Sequence, residues 1–395
     1  MPLDISQRSH ETTAAMQSFL KFYSDPLHTK LAASPDVSNF VFGNPNEMAL
    51  PGFSAALQTW SAPQDPLWFA YKFSEPYAQQ AAADSLKRHR GLDFDPNTIC
   101  MTNGGFAAIS LVINTIVDQG DEVIFNTPPW FFYDSIIVKA GGVSIRVKVR
   151  EDDFDLDLPA IEAAITPKTR AIIVNSPNNP TGRIYPESTL KALADLLERA
   201  SARIGRRIYL LSDEAYSRIL FDGQSCPSAT SFYPYSFLLY TYGKTLLTPG
   251  QRIGFIALPS SLPDRQAMFD AILITQIAMG FMFPNALLQH ALGDLEKLSI
   301  DIGHLQHKRD VMVGALREMG YEVHNPEGTF YLLPKSPIPD DAAFSRQLAQ
   351  NNILVLPGYV VELPGYFRIS LTANDDMIKR ALPGFEASIN AVRAR

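Results

Sequence analysis

The chain has 395 residues, of which 46% are hydrophobic and 19% are charged, so it can form one large domain and a smaller one, each with its own core. The net charge of -7 argues against a nucleic-acid partner, because binding to phosphate backbones needs clustered Lys and Arg. Cys100 and Cys226 are too few for a disulfide framework or a cysteine-ligated zinc site, and no metal site is predicted.

The N-terminal segment, residues 1–18, is polar and lacks the basic start and apolar run of a signal peptide. No stretch of about 18 consecutive apolar residues occurs anywhere in the chain, so no membrane span is predicted. With so few cysteines, a reducing compartment is the simplest setting. We therefore expect a soluble, cytoplasmic protein without a membrane partner.

Short, largely apolar runs recur between residues 98 and 257 and are typical of strands covered on both faces. The runs are 98–102, 122–126, 171–175, 208–212, 237–240 and 253–257. Between them, 106–117 is apolar all round, as in a buried helix, and leucines recur at helical spacing from Leu190 to Leu197. This alternation predicts an α/β fold with a mostly parallel sheet, whose ligand sites gather at the carboxyl ends of the strands.

The pattern changes after residue 258. Apolar residues at helical spacing over 285–319 predict helices that could bridge two domains, and 328–333 and 353–356 are predicted strands. About the last hundred residues would then form a second, smaller domain.

Three segments that follow predicted strands carry candidate functional residues. An Asn-Pro-Thr-Gly sequence ends at Gly182, Asp213 ends a strand, and Lys244 precedes a Gly-containing turn with Arg252. Taken singly, these are a tight turn, a helix N-cap and a surface lysine. Taken together, the lysine can form an imine with an aldehyde while the arginine binds a phosphate on the same ligand, as pyridoxal phosphate (PLP) would require.

In their order along the chain, these segments resemble the class I/II PLP-dependent aminotransferases of the aspartate aminotransferase superfamily, from about Gly43 to Arg368. The resemblance implies the PLP-dependent transferase fold type I, in which a mostly parallel seven-stranded sheet is sandwiched by helices beside a smaller α+β domain. We expect the large PLP-binding domain at 50–295, and the small domain at 1–49 and 296–395.

The resemblance also implies which residues bind the cofactor phosphate. The turn at Gly104, Gly105 and Phe106 is similar to the family's phosphate loop, where a helix N-terminus meets an anion. Thr241 and Arg252 match further phosphate ligands, with Thr in place of the commoner Ser.

Five more positions match residues around the cofactor ring. Trp130 corresponds to the aromatic residue that stacks on the ring, and Asn179 and Tyr216 to the donors to its hydroxyl oxygen. Asp213 corresponds to the partner of the ring nitrogen, which makes the ring a better electron sink. Lys244 corresponds to the lysine that binds the cofactor and transfers protons, so the implied catalytic residues are Lys244, Asp213 and Tyr216.

The implied substrates are an L-amino acid and a 2-oxo acid. Arg368 matches the arginine that binds the substrate carboxylate; Asn179 also belongs to that site, and Gly43 lies in the segment that closes over it. Tyr71 is similar to a tyrosine that reaches the cofactor phosphate of a neighbouring subunit, which implies a homodimer with shared active sites.

The substrate side chain is predicted to be apolar or aromatic. Phe106 stands where some relatives have a lysine, and between residues 265 and 308 the basic side chains are Lys297 and three histidines. Phe131, Phe132, Phe281 and Phe283 add to this apolar character, but they are equally compatible with a core or a subunit interface.

Two other functions share these motifs: β- or γ-elimination, as in carbon-sulfur lyases or aminocyclopropane-carboxylate synthases, and a non-catalytic PLP-binding module. The absence of a basic DNA-binding unit before Gly43 disfavours the module.

Overall fold

The structure is a computed structural model that describes residues 4–394; residues 1–3 and 395, the outer ends of the predicted small domain, lie outside it. Its helices are α1 (Gln7–Ala15), α2 (Gln17–Tyr23), α3 (Pro26–Ala32), α4 (Pro51–Trp60), α5 (Pro76–Arg90), α6 (Gly105–Ile116), α7 (Tyr133–Ala140), α8 (Leu158–Ala164), α9 (Glu187–Ile204), α10 (Tyr242–Thr245), α11 (Arg265–Ala278), α12 (Ala286–Leu295), α13 (Ile302–Met319), α14 (Asp341–Gln350) and α15 (Asp375–Arg393). None of these helices is long and apolar enough to cross a lipid bilayer.

The strands are distributed over three sheets. They are β1 (Ser38–Asn39), β2 (Ile99–Thr102), β3 (Glu122–Thr127), β4 (Val143–Lys148), β5 (Thr169–Asn175), β6 (Tyr209–Asp213), β7 (Ser236–Thr241), β8 (Gly254–Ala257), β9 (Tyr331–Leu332), β10 (Ile353–Leu354), β11 (Leu356–Pro357) and β12 (Phe367–Ser370).

The largest sheet has seven strands in the order β2-β8-β7-β6-β5-β3-β4. Strand β8 is antiparallel to both neighbours, whereas the strands from β7 to β4 pair in parallel. This confirms the predicted mostly parallel seven-stranded sheet. All six apolar runs lie in its strands, but β4 was missed. It is an edge strand with exposed Val143, Arg146 and Lys148, so it lacks the continuous apolar run of a buried strand.

Helices cover both faces of this sheet because side chains alternate along each strand. In β5, Ile173 packs on the side of α6, while Ile172 and Val174 pack on the side of α9. The predicted leucines of α9 are buried there, including Leu193 and Leu197. The α6 helix is buried along most of its length, as its apolar sequence predicted.

A second core surrounds the three-stranded antiparallel sheet β11-β12-β9, against which α13 and α15 pack. The strand predicted at 328–333 is shorter, and the one predicted at 353–356 is divided between β10 and β11, which belong to different sheets. Strand β1 pairs in parallel with β10, which joins the N-terminal segment to this part of the chain. The division of the chain into a large domain at 50–295 and a small domain at 1–49 and 296–395 stays a prediction.

The turn that ends the Asn-Pro-Thr-Gly sequence packs against the second core. Gly182 has φ +74° and a Cβ at this position would overlap Pro326, whereas Gly205 has φ +67° with nothing within 4 Å. Both conformations favour glycine, but only Gly182 also requires close packing. The loop after β5 is therefore held by the sheet where it begins and by the contact with Pro326 at Gly182.

We expect Gly205→Ala to lower the free energy of unfolding by about 1 kcal/mol through its left-handed backbone alone. Gly182→Ala should cost about 1–3 kcal/mol more, because the added methyl group must displace Pro326. Urea unfolding followed by circular dichroism measures both. Equal losses for the two variants would contradict the packing at Pro326.

Candidate active site

A cavity of about 400 Å³ lies at the carboxyl edge of the large sheet. Asn175, Asp213 and Thr241, the last residues of β5, β6 and β7, all line it. Its volume is in the range of small-molecule sites, roughly 300–1,000 Å³. The predicted site residues that line it are Gly43, Gly105, Phe106, Trp130, Asn179, Asp213, Tyr216, Thr241, Lys244, Arg252 and Arg368.

Asp213 is a buried carboxylate at the floor of the cavity. Tyr133 Oη donates a hydrogen bond of 2.5 Å to its Oδ2, and the Ala215 amide donates one of 3.3 Å to its Oδ1. Burial raises the pKa of Asp213, and the hydrogen bond from Tyr133 opposes that rise. A desolvated carboxylate with only neutral donors gains stability from a cationic group, such as a protonated ring nitrogen.

Lys244 extends into the cavity from α10, the single helical turn directly after β7. Its Nζ lies 5.5 Å from the ring centre of Tyr216 and 5.7 Å from that of Phe330. These rings place largely apolar atoms around the amine, and the Lys244 side chain lines the cavity. A lysine in this position can react with a carbonyl group of a bound ligand.

An anion site is formed where α6 begins. Gly104 has φ +85°, and a Cβ here would lie 2.6 Å from Nη2 of Arg252. Gly104, as the N-cap residue, provides no side-chain cap, so the first amides of α6 can donate to a ligand. Arg252 donates to the Pro249 carbonyl at 2.7 Å, and burial lowers its pKa. With Thr241 beside Gly105, this arrangement can hold a phosphate group.

Aromatic side chains form one wall of the cavity. Trp130 is half-buried and meets Phe106 edge to face at 5.0 Å and Tyr133 at 5.4 Å. Phe132 lies 5.1 Å from Phe106 and 5.2 Å from Trp130. A planar ring bound near Trp130 would therefore face an apolar surface.

Arg368 is a buried cation on β12 that also lines the cavity. Its Nη1 donates to Asn179 Oδ1 at 3.0 Å and its Nη2 to the Val41 carbonyl at 2.8 Å. Within residues 4–394, its Nε has no hydrogen-bond partner. Burial lowers its pKa, since a desolvated cation is unfavourable without an anion. These properties suit a carboxylate ligand.

Tyr331 is a cavity residue that the sequence did not point to. Its ring lies 4.0 Å from Arg368 Cζ, and a Cβ at Gly43 would lie 2.7 Å from its hydroxyl group. Burial raises the pKa of Tyr331, but Arg368, Lys244 and a hydrogen bond from Tyr216 together lower it below its usual value. Tyr331 thus links Gly43, Lys244 and Arg368.

Tyr71 and Gly104 do not line the cavity. Gly104 still belongs to the anion site through its contact with Arg252. Tyr71 is 84% exposed and stacks on Phe283 at 4.5 Å. Its role at a neighbouring subunit stays a prediction.

Tyr331, Phe19 and Tyr23 were missed as residues that line the cavity, and Tyr133 was missed as the buried partner of Asp213. Tyr133 and Tyr331 lie in largely apolar or aromatic segments such as an ordinary core contains, whereas Phe19 and Tyr23 lie in the mixed polar and apolar segment 17–23. The contact between Tyr133 and Asp213 spans eighty residues of chain, so local patterns carry no signal for it.

Comparison with known proteins identifies a family and related structures. The model of the family "Aminotransferase class I and II" matches residues 69–385. A probable aspartate/prephenate aminotransferase of Thermus aquaticus is 30% identical over 321 residues, covering 80% of this chain and 82% of that protein. An aromatic-amino-acid aminotransferase of Thermococcus litoralis is 27% identical over 326 residues, covering 78% and 80%.

A crystal structure of an aminotransferase from Eubacterium rectale superposes with a TM-score of 0.89 at 27% identity, covering 98% of this chain and 99% of that one. The fold-type I architecture expected from the sequence is therefore confirmed. Since the family model spans most of its length, the chain belongs to the class I and II aminotransferases.

Proposed function

We propose that this enzyme uses PLP to move an amino group between an L-amino acid with an apolar or aromatic side chain and a 2-oxo acid. The observation that carries the proposal is the convergence of Lys244, Asp213, Arg252 and Arg368 on one cavity. A reactive amine, a buried carboxylate and two separate anion sites are what an amino acid and a phosphorylated pyridine aldehyde together require.

The residues present fit PLP. Arg252, Thr241 and the first amides of α6 would hold the phosphate, and Asp213 would pair with the ring nitrogen. When bound, PLP would supply the aldehyde carbon that receives the amino group and a ring that accepts electron density. Trp130 would cover the ring face.

Asn179 and Tyr216 would donate to the oxygen on the cofactor ring. Asn179 also accepts from Arg368 at 3.0 Å, so it would link the cofactor and substrate sites. Arg368 would bind the substrate α-carboxylate and orient Cα. Lys244 Nζ would then remove the proton from Cα and return it during transfer. Gly43, which also lines the cavity, would place its backbone near the carboxylate; a Cβ there would lie 2.5 Å from a ring carbon of Phe330 and 2.7 Å from the hydroxyl group of Tyr331.

The lining of the cavity supports the substrate preference. Phe106, Phe131 and Phe132 face it, and the cations that line it within residues 4–394 are Lys244, Arg252 and Arg368, each of which already has a role above. Phe106 provides an apolar surface and no charge for a second carboxylate.

A homodimer is part of the proposal. An apolar surface around Tyr71 includes Leu67, Phe69 and Phe73, which are 67%, 56% and 43% exposed. Exposed apolar side chains that are grouped in this way often mark a contact surface between proteins. A second copy of the chain would cover this one. A cytoplasmic location is also proposed, supported by the free thiols of both cysteines.

To test the activity, PLP-loaded protein is mixed with single amino acids without an acceptor while its absorption spectrum is recorded. We expect conversion to the pyridoxamine form with one equivalent of 2-oxo acid. Lys244→Ala should slow this conversion by at least about 100-fold, because it removes the proton-transferring amine. Lys297→Ala, an exposed lysine paired with Asp294, is the matched control. Sustained release of ammonia with PLP retained would instead show elimination.

Tyr133→Phe should weaken PLP binding on the order of 10-fold, because Asp213 loses a hydrogen bond to its charged form. The pKa of Asp213 then rises further, so its carboxylate is protonated at higher pH. The loss of affinity should grow as the pH falls, when PLP is titrated into cofactor-free protein. Tyr233→Phe removes a buried hydrogen bond to the Ile208 carbonyl and should leave affinity unchanged. Equal effects of the two variants would count against Asp213 as the ring partner.

Shared sites can be tested with hybrid dimers of Lys244→Ala and Tyr71→Phe. If Tyr71 serves the neighbouring site, one site of each hybrid combines both substitutions and the other is intact. After mixing and reassembly, each hybrid dimer should then have about half of the activity of a wild-type dimer, because one of its two sites is intact. If Tyr71 acts within its own subunit, no intact site forms and no activity is regained.

A further inference from the structure

Helix α2 contributes two aromatic side chains to the cavity from outside the large sheet. Phe19 and Tyr23 line it, and Tyr23 is 57% exposed at the outer edge. The Phe19 ring is stacked on Tyr23 at 5.6 Å and on Phe131 at 5.1 Å, with interplanar angles of 18° and 13°. Phe131 in turn lies 5.9 Å from Arg368 Cζ.

Three nearly parallel rings therefore extend from the carboxylate-binding guanidinium to the surface. We call Tyr23, Phe19 and Phe131 the aromatic stack. Phe19 also lies 5.4 Å from Phe132 and 6.3 Å from Phe42, so the cavity wall beside the stack is aromatic as well. None of these side chains carries a charge.

Contacts on its other sides hold α2 in this position. Phe22, three residues after Phe19, does not line the cavity and is buried with Val41, Leu356 and Val360. The preceding helix α1 packs along α7, and Arg8 Nη2 donates to Gln119 Oε1 at 2.8 Å. Helix α2 is thus connected to helix α7 through α1, and it contacts the part of the chain that carries Arg368 through Phe22.

A substrate whose α-carboxylate binds Arg368 has its side chain within reach of this stack. An aromatic side chain gains more than its buried area from offset or edge-to-face contacts with neighbouring rings. A branched aliphatic side chain gains only the burial of its apolar surface. Phe19 is the ring best placed for this discrimination, because it is half-buried and lies between the other two.

We propose that Phe19 and Tyr23 are specificity-determining residues that favour neutral aromatic amino acids and their 2-oxo acids over aliphatic ones. The inference rests on the proposed aminotransferase function and assigns the outer half of the side-chain pocket to α2. Phe19 provides most of the discrimination, and Tyr23 covers the bound side chain from solvent.

The test compares Phe19→Leu, Tyr23→Leu and the control Phe22→Leu, which removes a ring from the same helix that does not line the cavity. The second-order rate constants for cofactor conversion by L-phenylalanine and by L-leucine are measured for each. In Phe19→Leu, we expect the ratio of these constants to fall about 3- to 10-fold, mainly through loss of the L-phenylalanine reaction. Tyr23→Leu should reduce the ratio less, and Phe19→Trp should keep it.

A binding measurement separates specificity from catalysis. Titration calorimetry with 3-phenylpropionate and 4-methylpentanoate, which lack an amino group, should show the same selective loss in Phe19→Leu. Thermal melting of all variants checks that α2 still packs.

The outcomes distinguish the inference from the function on which it rests. If the wild-type protein converts with no amino acid, the proposed function is wrong and the inference fails with it. If the wild-type protein transaminates but Phe19→Leu loses both donors equally, or Phe22→Leu gives the same change in ratio, only the inference is overturned. The aromatic stack would then only stabilise the position of α2.

Discussion

The parallel alignment of β5, β6 and β7 is the constraint on which the site depends. The strand registers pair Asn175 with Asp213 and Asp213 with Leu239, two residues before the end of β7, so the ends of the three strands lie next to each other at one edge of the sheet. Each polar end is followed by a turn that presents another functional group: the Asn179 loop, the Tyr216 segment and the Lys244 turn. Sheet hydrogen bonds thus determine distances between groups that are far apart in sequence.

Electrostatic imbalance is the second organising feature. Among the described residues that line the cavity, Lys244, Arg252 and Arg368 are basic and Asp213 alone is acidic. Burial lowers the pKa of both arginines and raises that of Asp213, so each group is held in an unfavourable medium. The folded chain bears this cost before any ligand arrives. Anionic ligands that neutralise the arginines would recover part of this cost, so the cavity should favour molecules that carry negative groups.

The sequence predicted the central sheet because its strands are covered on both faces and are therefore apolar throughout. It failed for β4, whose exposed edge gives a mixed pattern. Residues at strand ends, such as Asp213 and Lys244, were found because loop motifs mark them. Tyr133 and Tyr331 support those residues through contacts between distant segments, and an aromatic residue in an apolar segment gives no local indication of such a contact.

The attachment of α2 has a consequence for how this enzyme can diversify. Phe19 and Tyr23 precede the segment 69–385 that carries the family's shared features, whereas Lys244, Asp213 and Arg368 lie inside it. In the proposed function, part of the side-chain recognition is therefore encoded before this segment, whereas Phe106, Phe131 and the groups proposed for the chemistry are encoded within it. Exchange of the first few dozen codons between relatives offers a route to altered substrate range that leaves the chemical apparatus untouched.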